Sequence, residues 1–179
     1  MKIPTEEQVE RWLESVPTDF PTFSSDDFSF ARDDDAADAC SDTLYSDTTG
    51  DGVELAYGLF EYGLGGEGRL VECLAMDPDD EWNSTPWGNE ILFTIEAIAA
   101  SAGQPSRDPE LAVLRRWGAK VDFQPPSDMV DSMIGTVDFI MERYRNDPEK
   151  HDVNPEYLDE VLAAGALMRN RIMALKTDG

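Results

Sequence analysis

The chain has 179 residues, room for one domain or two small ones with a real core. Its 38 acidic side chains against 14 basic ones give a net charge of −24, with 41% of residues hydrophobic; such a chain folds, but bare nucleic acid and anionic membranes repel it. No apolar run approaches the roughly 20 residues of a membrane span, MKIPTEEQVERW lacks the basic and apolar regions of a signal peptide, and Cys40 and Cys73 imply no disulfide framework, so the sequence predicts a reduced, cytoplasmic protein.

Pro4 opens a first helix, with Thr5 and two glutamates in its first turn and Val9, Trp12, Leu13 and Val16 at helical spacing; Pro17 ends it. Residues 17–30 have no helical period, and Phe20, Phe23, Phe28 and Phe30 predict an irregular segment pinned to the core. Over 31–46, Ala36, Ala37, Cys40 and Leu44 form a narrow apolar stripe. A short acidic helix there turns Asp33, Asp34, Asp35, Asp38 and Asp42 outward. Residues 53–76 read two ways: alternating Leu55, Tyr57 and Leu59 around a Gly-rich turn give a β-hairpin, whereas Val53, Ala56, Leu59 and Phe60 suit a helix stopped by glycine. Aromatics and glycines favour the hairpin. A loop with a second acidic cluster, Asp77, Asp79, Asp80 and Glu81 beside Trp82, follows.

The remaining sequence predicts four helices, over 87–102, 108–117, 127–145 and 155–176. Gly103 ends the first. Asp108-Pro109-Glu110 supplies a cap, an N1 proline and an acidic first turn for the second; Ser127 opens the third; Asn154-Pro155-Glu156 opens the fourth. Trp12 and Trp117 fall on helix faces and belong to the core. Met129, Met133 and Met141 share an apolar face that suits core packing and dimerisation equally. The fold class is therefore mainly α, a small helical bundle carrying an acidic, partly irregular N-terminal half, and α+β if the hairpin forms. One domain spans 1–179, with an acidic interaction face in 1–110 and a near-neutral scaffold in 111–179.

Catalytic chemistry finds little to use. The single histidine, His151, sits in an NDPEKHDVNP loop and is expected to face solvent, and one His with two distant Cys makes no zinc site. GxSxG and Walker-type motifs are absent, and GLGGEGR lacks the lysine of a phosphate loop. Asp47-Thr-Thr-Gly-Asp51-Gly52 begins like a calcium loop, but its twelfth position is Gly58 instead of the bidentate Glu. The 77–81 cluster has the carboxylates for magnesium, yet composition alone accounts for it. The sequence thus predicts no enzyme, no catalytic residue, no metal site and no cofactor.

Charge is where the sequence speaks. Of the net −24, −21 lies in the first 110 residues, whereas a general solubility adaptation would coat the whole chain. In charge and size the profile resembles DNA-mimic inhibitors that phages and mobile elements direct against CRISPR or restriction systems; no motif carries the likeness. It implies a basic partner, a nucleic-acid-binding complex or nuclease, and no direct contact with nucleic acid or membrane. The partner-binding candidates are Asp33, Asp34, Asp35, Asp38, Asp42, Asp77, Asp79, Asp80, Glu81 and Trp82, the tryptophan offering a stacking face to arginine. The same physics fits an immunity protein that plugs a cationic nuclease toxin. An acidic, halophilic enzyme is the third reading. Oligomeric state is left open.

Overall fold

A computed structural model describes residues 4–15, 86–108, 111–121, 123–151 and 153–176. The predicted irregular stretch 17–30, the acidic helix at 31–46 and the hairpin or helix at 53–76 lie outside the described residues. Every regular element among the described residues is helical: α1 (Glu6–Ser15), α2 (Pro86–Ser101), α3 (Ala112–Gly118), α4 (Ser127–Asn146) and α5 (Leu158–Met173), with 3-10 turns at Glu149–His151 and Pro155–Tyr157. This agrees with a mainly α protein. None of these helices is long and apolar enough to cross a membrane.

Helix α2 organises the rest. From Ile91 to Ala102 every residue whose side chain is described is buried, so the helix has no solvent-facing stripe over that length. Its end follows from Gly103, which takes φ +82° and lets Gln104 N–H reach the Ala99 carbonyl (2.8 Å) and Gly103 N–H the Ala100 carbonyl (3.2 Å). This is a Schellman cap, and only glycine enters that left-handed conformation without strain. Helix α3 packs on α2, and α4 on α5. The core joins Ile91, Ile95 and Ile98 of α2 to Met129, Met133 and Val137 of α4 and Met168 and Ile172 of α5. The three methionines of the α4 face are buried here, which assigns them to packing. His151, expected to face solvent, is half-buried, its ring 5.9 Å from that of Tyr144.

The helix starts differ in detail from the sequence reading. Thr5 is the cap of α1, one residue outside the helix: Gln8 N–H donates to Thr5 Oγ1 (3.3 Å) and Thr5 N–H to Gln8 Oε1 (3.1 Å), a capping box with Pro4 ahead of it. Helix α3 begins at Ala112, not at Pro109. The Asp108 carbonyl is taken by Leu111 N–H (3.2 Å) and by Arg115 Nη1 (3.2 Å), so it is not left for the N–H four residues on. Ser127 is the first residue of α4, with Pro126 in the cap position and no side-chain cap. Asn154 does cap, accepting from Glu156 N–H at 3.0 Å, but the turn it opens is 3-10 and becomes α only at Leu158.

Two glycines mark where backbones come closest. A Cβ on Gly118 would stand 2.5 Å from the carbonyl carbon of Ala100 and 2.6 Å from its oxygen, atoms of the α2 backbone that cannot swing aside. A Cβ on Gly165 meets only the thioether end of Met141, a flexible side chain. Gly118→Ala is therefore expected to destabilise by about 1–3 kcal/mol, as overpacking does, and Gly165→Ala by clearly less. Urea unfolding of the two variants checks the order; the reverse order would contradict the α2–α3 approach.

Candidate functional site

The ten residues that the sequence nominates for partner binding, Asp33 to Asp42 and Asp77 to Trp82, all lie outside the described residues. The described part instead shows how the frame handles its own charge. Three arrangements stand out, and sequence reasoning named none of them.

The first joins α1 to α4. Trp12 is wholly buried, and its indole Nε1–H donates to Asp128 Oδ1 at 3.0 Å. Arg11 Nη2 donates to Asp128 Oδ2 at 2.8 Å, and Gln8 Nε2 approaches the same oxygen at 3.5 Å. Asp128 lies in the first turn of α4, where the helix dipole favours an anion. Partial burial works to raise its pKa, but the hydrogen bonds from Trp12 and Gln8 and the Arg11 guanidinium outweigh it, and the carboxyl is held below its ordinary range.

The second is an ion pair beneath the surface. Glu96 is 2% exposed, the single acid along the buried length of α2. Arg171 of α5 meets it with both terminal nitrogens, Nη1 to Oε2 at 2.6 Å and Nη2 to Oε1, and gives Nη1 also to the Gln104 carbonyl at 3.3 Å. Two parallel charge-assisted bonds satisfy a carboxylate that burial would otherwise make costly. At the surface, Arg169 pairs with Asp138 (2.7 Å) and Lys176 with Asp131 (2.6 Å); exposed pairs of this kind contribute about 0–1 kcal/mol.

The third is a cleft of about 870 Å³ between the 103–108 loop and the C-terminal half of α5. The Glu96–Arg171 pair lies in its wall, and Arg115 shapes its rim by donating Nη1 to the Ser106 carbonyl (2.6 Å) as well as to Asp108. No group of three or more His, Cys, Asp or Glu side chains that would hold a metal occurs among the described residues. Burial pushes the Tyr144 phenol above its ordinary range despite the neighbouring Arg143.

Compared with known protein families, with characterised proteins and with solved structures, the chain matches none.

The Asp128 clasp makes a signed prediction. Its folded pKa is the lower one, so the stability it supplies is present above the unfolded value near 3.9 and is lost as pH falls through the folded value. The stability gap between wild type and Asp128→Asn should be widest above about pH 4 and shrink below it. Asp128→Ala also orphans a buried indole N–H, a loss of about 1–3 kcal/mol. Chemical unfolding across pH, followed by tryptophan fluorescence, reads both; a gap that widens in acid would contradict the clasp. For the buried pair, Glu96→Ala should cost about 3–5 kcal/mol by stranding Arg171, and Glu96→Leu with Arg171→Met should lose less than Glu96→Ala. Equal losses would mean that the pair itself, not the stranded charge, sets the cost.

Proposed function

We propose that the protein is a non-enzymatic, acidic interaction protein that works in the cytoplasm by occupying the nucleic-acid-binding surface of a basic partner. In this reading it is a DNA-mimic-type inhibitor of the kind directed at CRISPR or restriction systems. One observation carries the proposal: the partition of charge. Residues 16–85 hold 18 acidic and two basic side chains, whereas residues 86–176 hold 15 and 10. A duplex carries one negative charge per roughly 1.7 Å, so a surplus of 16 matches the phosphates along about 27 Å of DNA. That is the length of surface a small domain presents.

The helical frame supports this division of labour. Its carboxylates at 96, 128, 131 and 138 are already paired within the protein, and the larger surplus, 16 against five, lies in 16–85. Asp33, Asp34, Asp35, Asp38 and Asp42, with Asp77, Asp79, Asp80, Glu81 and Trp82, form the partner-binding face, and the helices, packed as a bundle, are its scaffold within one domain. Aspartate's short side chain holds charge close to the backbone, as a phosphate mimic requires, and complementary charge speeds encounter with the partner.

The experiment is a pair of triple reversals. Partner proteins are captured from a CRISPR- or restriction-bearing lysate at low salt and released at high salt. Binding is then compared for Asp33→Lys/Asp34→Lys/Asp35→Lys and for Glu142→Lys/Glu149→Lys/Glu156→Lys. The second set is exposed and outside the frame's ion pairs. Close interfacial charge pairs contribute about 1.5 kcal/mol or more each, so the first variant should lose affinity by hundreds-fold or more while circular dichroism stays unchanged. The second should bind normally, and the protein alone should not retard duplex DNA. Loss in the second variant only would move the interface to the helical frame; loss in neither, or a retarded duplex, would end the mimicry reading.

A further inference from the structure

The cleft beside α5 has the opposite electrostatic character to the chain as a whole. Three guanidinium groups line it, from Arg107, Arg115 and Arg171, against the carboxylates of Glu96 and Asp108. Glu96 spends both oxygens on Arg171. Arg115 is held by two backbone carbonyls, neutral acceptors that fix its position without cancelling its charge. Arg107 stands exposed at the rim and makes no ion pair among the described residues. Two cationic groups with no carboxylate partner among the described residues therefore face one cleft in a protein of net charge −24.

Apolar groups line the cleft beside the guanidinium groups. Leu167 on α5 is 66% exposed, the most exposed large hydrophobic side chain among the described residues, and it lines this cleft together with Ala164 and Ala174. Ligand pockets typically enclose about 300–1,000 Å³ and pair apolar walls with a few placed polar groups; a cleft of about 870 Å³ falls in that range. Two of the three guanidinium groups are held in advance, Arg171 by Glu96 and Arg115 by the 103–108 loop, which leaves Arg107 as the one a ligand orders on arrival.

We propose that this cleft binds a small organic anion, a carboxylate on an aromatic or branched aliphatic body, with the acid end received by Arg107 and Arg115 and the apolar end laid against Leu167. Glu96 has both oxygens on Arg171, so of the two carboxylates that line the cleft only Asp108 stands against the guanidinium groups of Arg107 and Arg115. The remote acids of the chain do not forbid the anion: at physiological ionic strength the Debye length is about 8 Å, so the guanidinium groups at contact distance dominate. The site is independent of the acidic surface proposed above and stands whether or not that reading does.

The test uses the full-length protein with methyl labels and two matched probes, 4-phenylbutyrate and 4-phenylbutylamine, followed by NMR at about 0.15 M salt. The carboxylate should shift the Leu167 and Ala164 methyl signals saturably, with a dissociation constant of millimolar or tighter, and the amine should bind at least tenfold more weakly. Arg107→Glu and Leu167→Asp each replace an exposed side chain and should leave circular dichroism and thermal melting unchanged while weakening 4-phenylbutyrate at least tenfold. The absence of a saturable shift, an equal response to the amine, or full binding by Arg107→Glu would each overturn the proposal.

Discussion

A helix buried on all its described sides dictates where everything else goes, and α2 is such a helix from Ile91 to Ser101. Burying Ile91, Leu92, Ile95 and Ile98 on one side of the rod and Glu96, Ala97 and Ala100 on the other requires neighbours around it, since each fully buried aliphatic side chain is worth about 1.5–3 kcal/mol only when water is excluded from it. Helices α3, α4 and α5 answer that demand. The contact of Gly118 with Ala100 brings α3 against its backbone, and Phe123 N–H donates to the Ser101 carbonyl at 3.4 Å, tying the link into α4 back to the end of α2. Glu96 exists within this constraint: a charge on this buried stretch is tolerated because Arg171 reaches it from α5, and the pair thereby fixes how α5 lies along α2. Thr94 has no such answer. Its hydroxyl, fully buried, makes no hydrogen bond among the described residues, a small standing cost in an otherwise satisfied core.

The frame's treatment of charge contrasts with the composition of the whole chain. Arg11, Arg169, Arg171 and Lys176 each face a carboxylate within the fold. Even the cation on Phe139 comes from the same helix, with Arg143 5.4 Å above the ring. Of the net −24, −16 thus belongs to the sequence between α1 and α2, and the rest of the chain adds −8.

What the sequence revealed of the fold follows from how local each signal is. Periodicity and punctuation placed the helices to within a few residues, because Gly103, Pro17 and Asn154-Pro155 act on their own neighbourhoods. Starts were less legible: Asp108-Pro109-Glu110 has every mark of a helix opening, yet Arg115, seven residues on, competes for the Asp108 carbonyl. The pairings were not legible at all. Nothing in the string connects Asp128 to Trp12 or Glu96 to Arg171, separated by 116 and 75 residues. Hints were present nonetheless, in the one acid of the 91–101 run and in the arginines of 107–116 standing out against an acidic chain. Composition accounts for the choice of Asp33 to Asp42 and Asp77 to Glu81 as a surface, since excess like charge has to face solvent or a partner.

Trp12 and Asp128 also have a polymer consequence. Seating α1 on α4 brings together residues 116 apart in the chain. Loop closure over that separation costs on the order of 4 kcal/mol of chain entropy beyond a constant, and the burial of Trp12 with its polar contacts has to outweigh it. Gln8, Arg11 and Trp12 all bear on one carboxylate. A single change at Asp128 therefore removes three polar contacts of α1 at once.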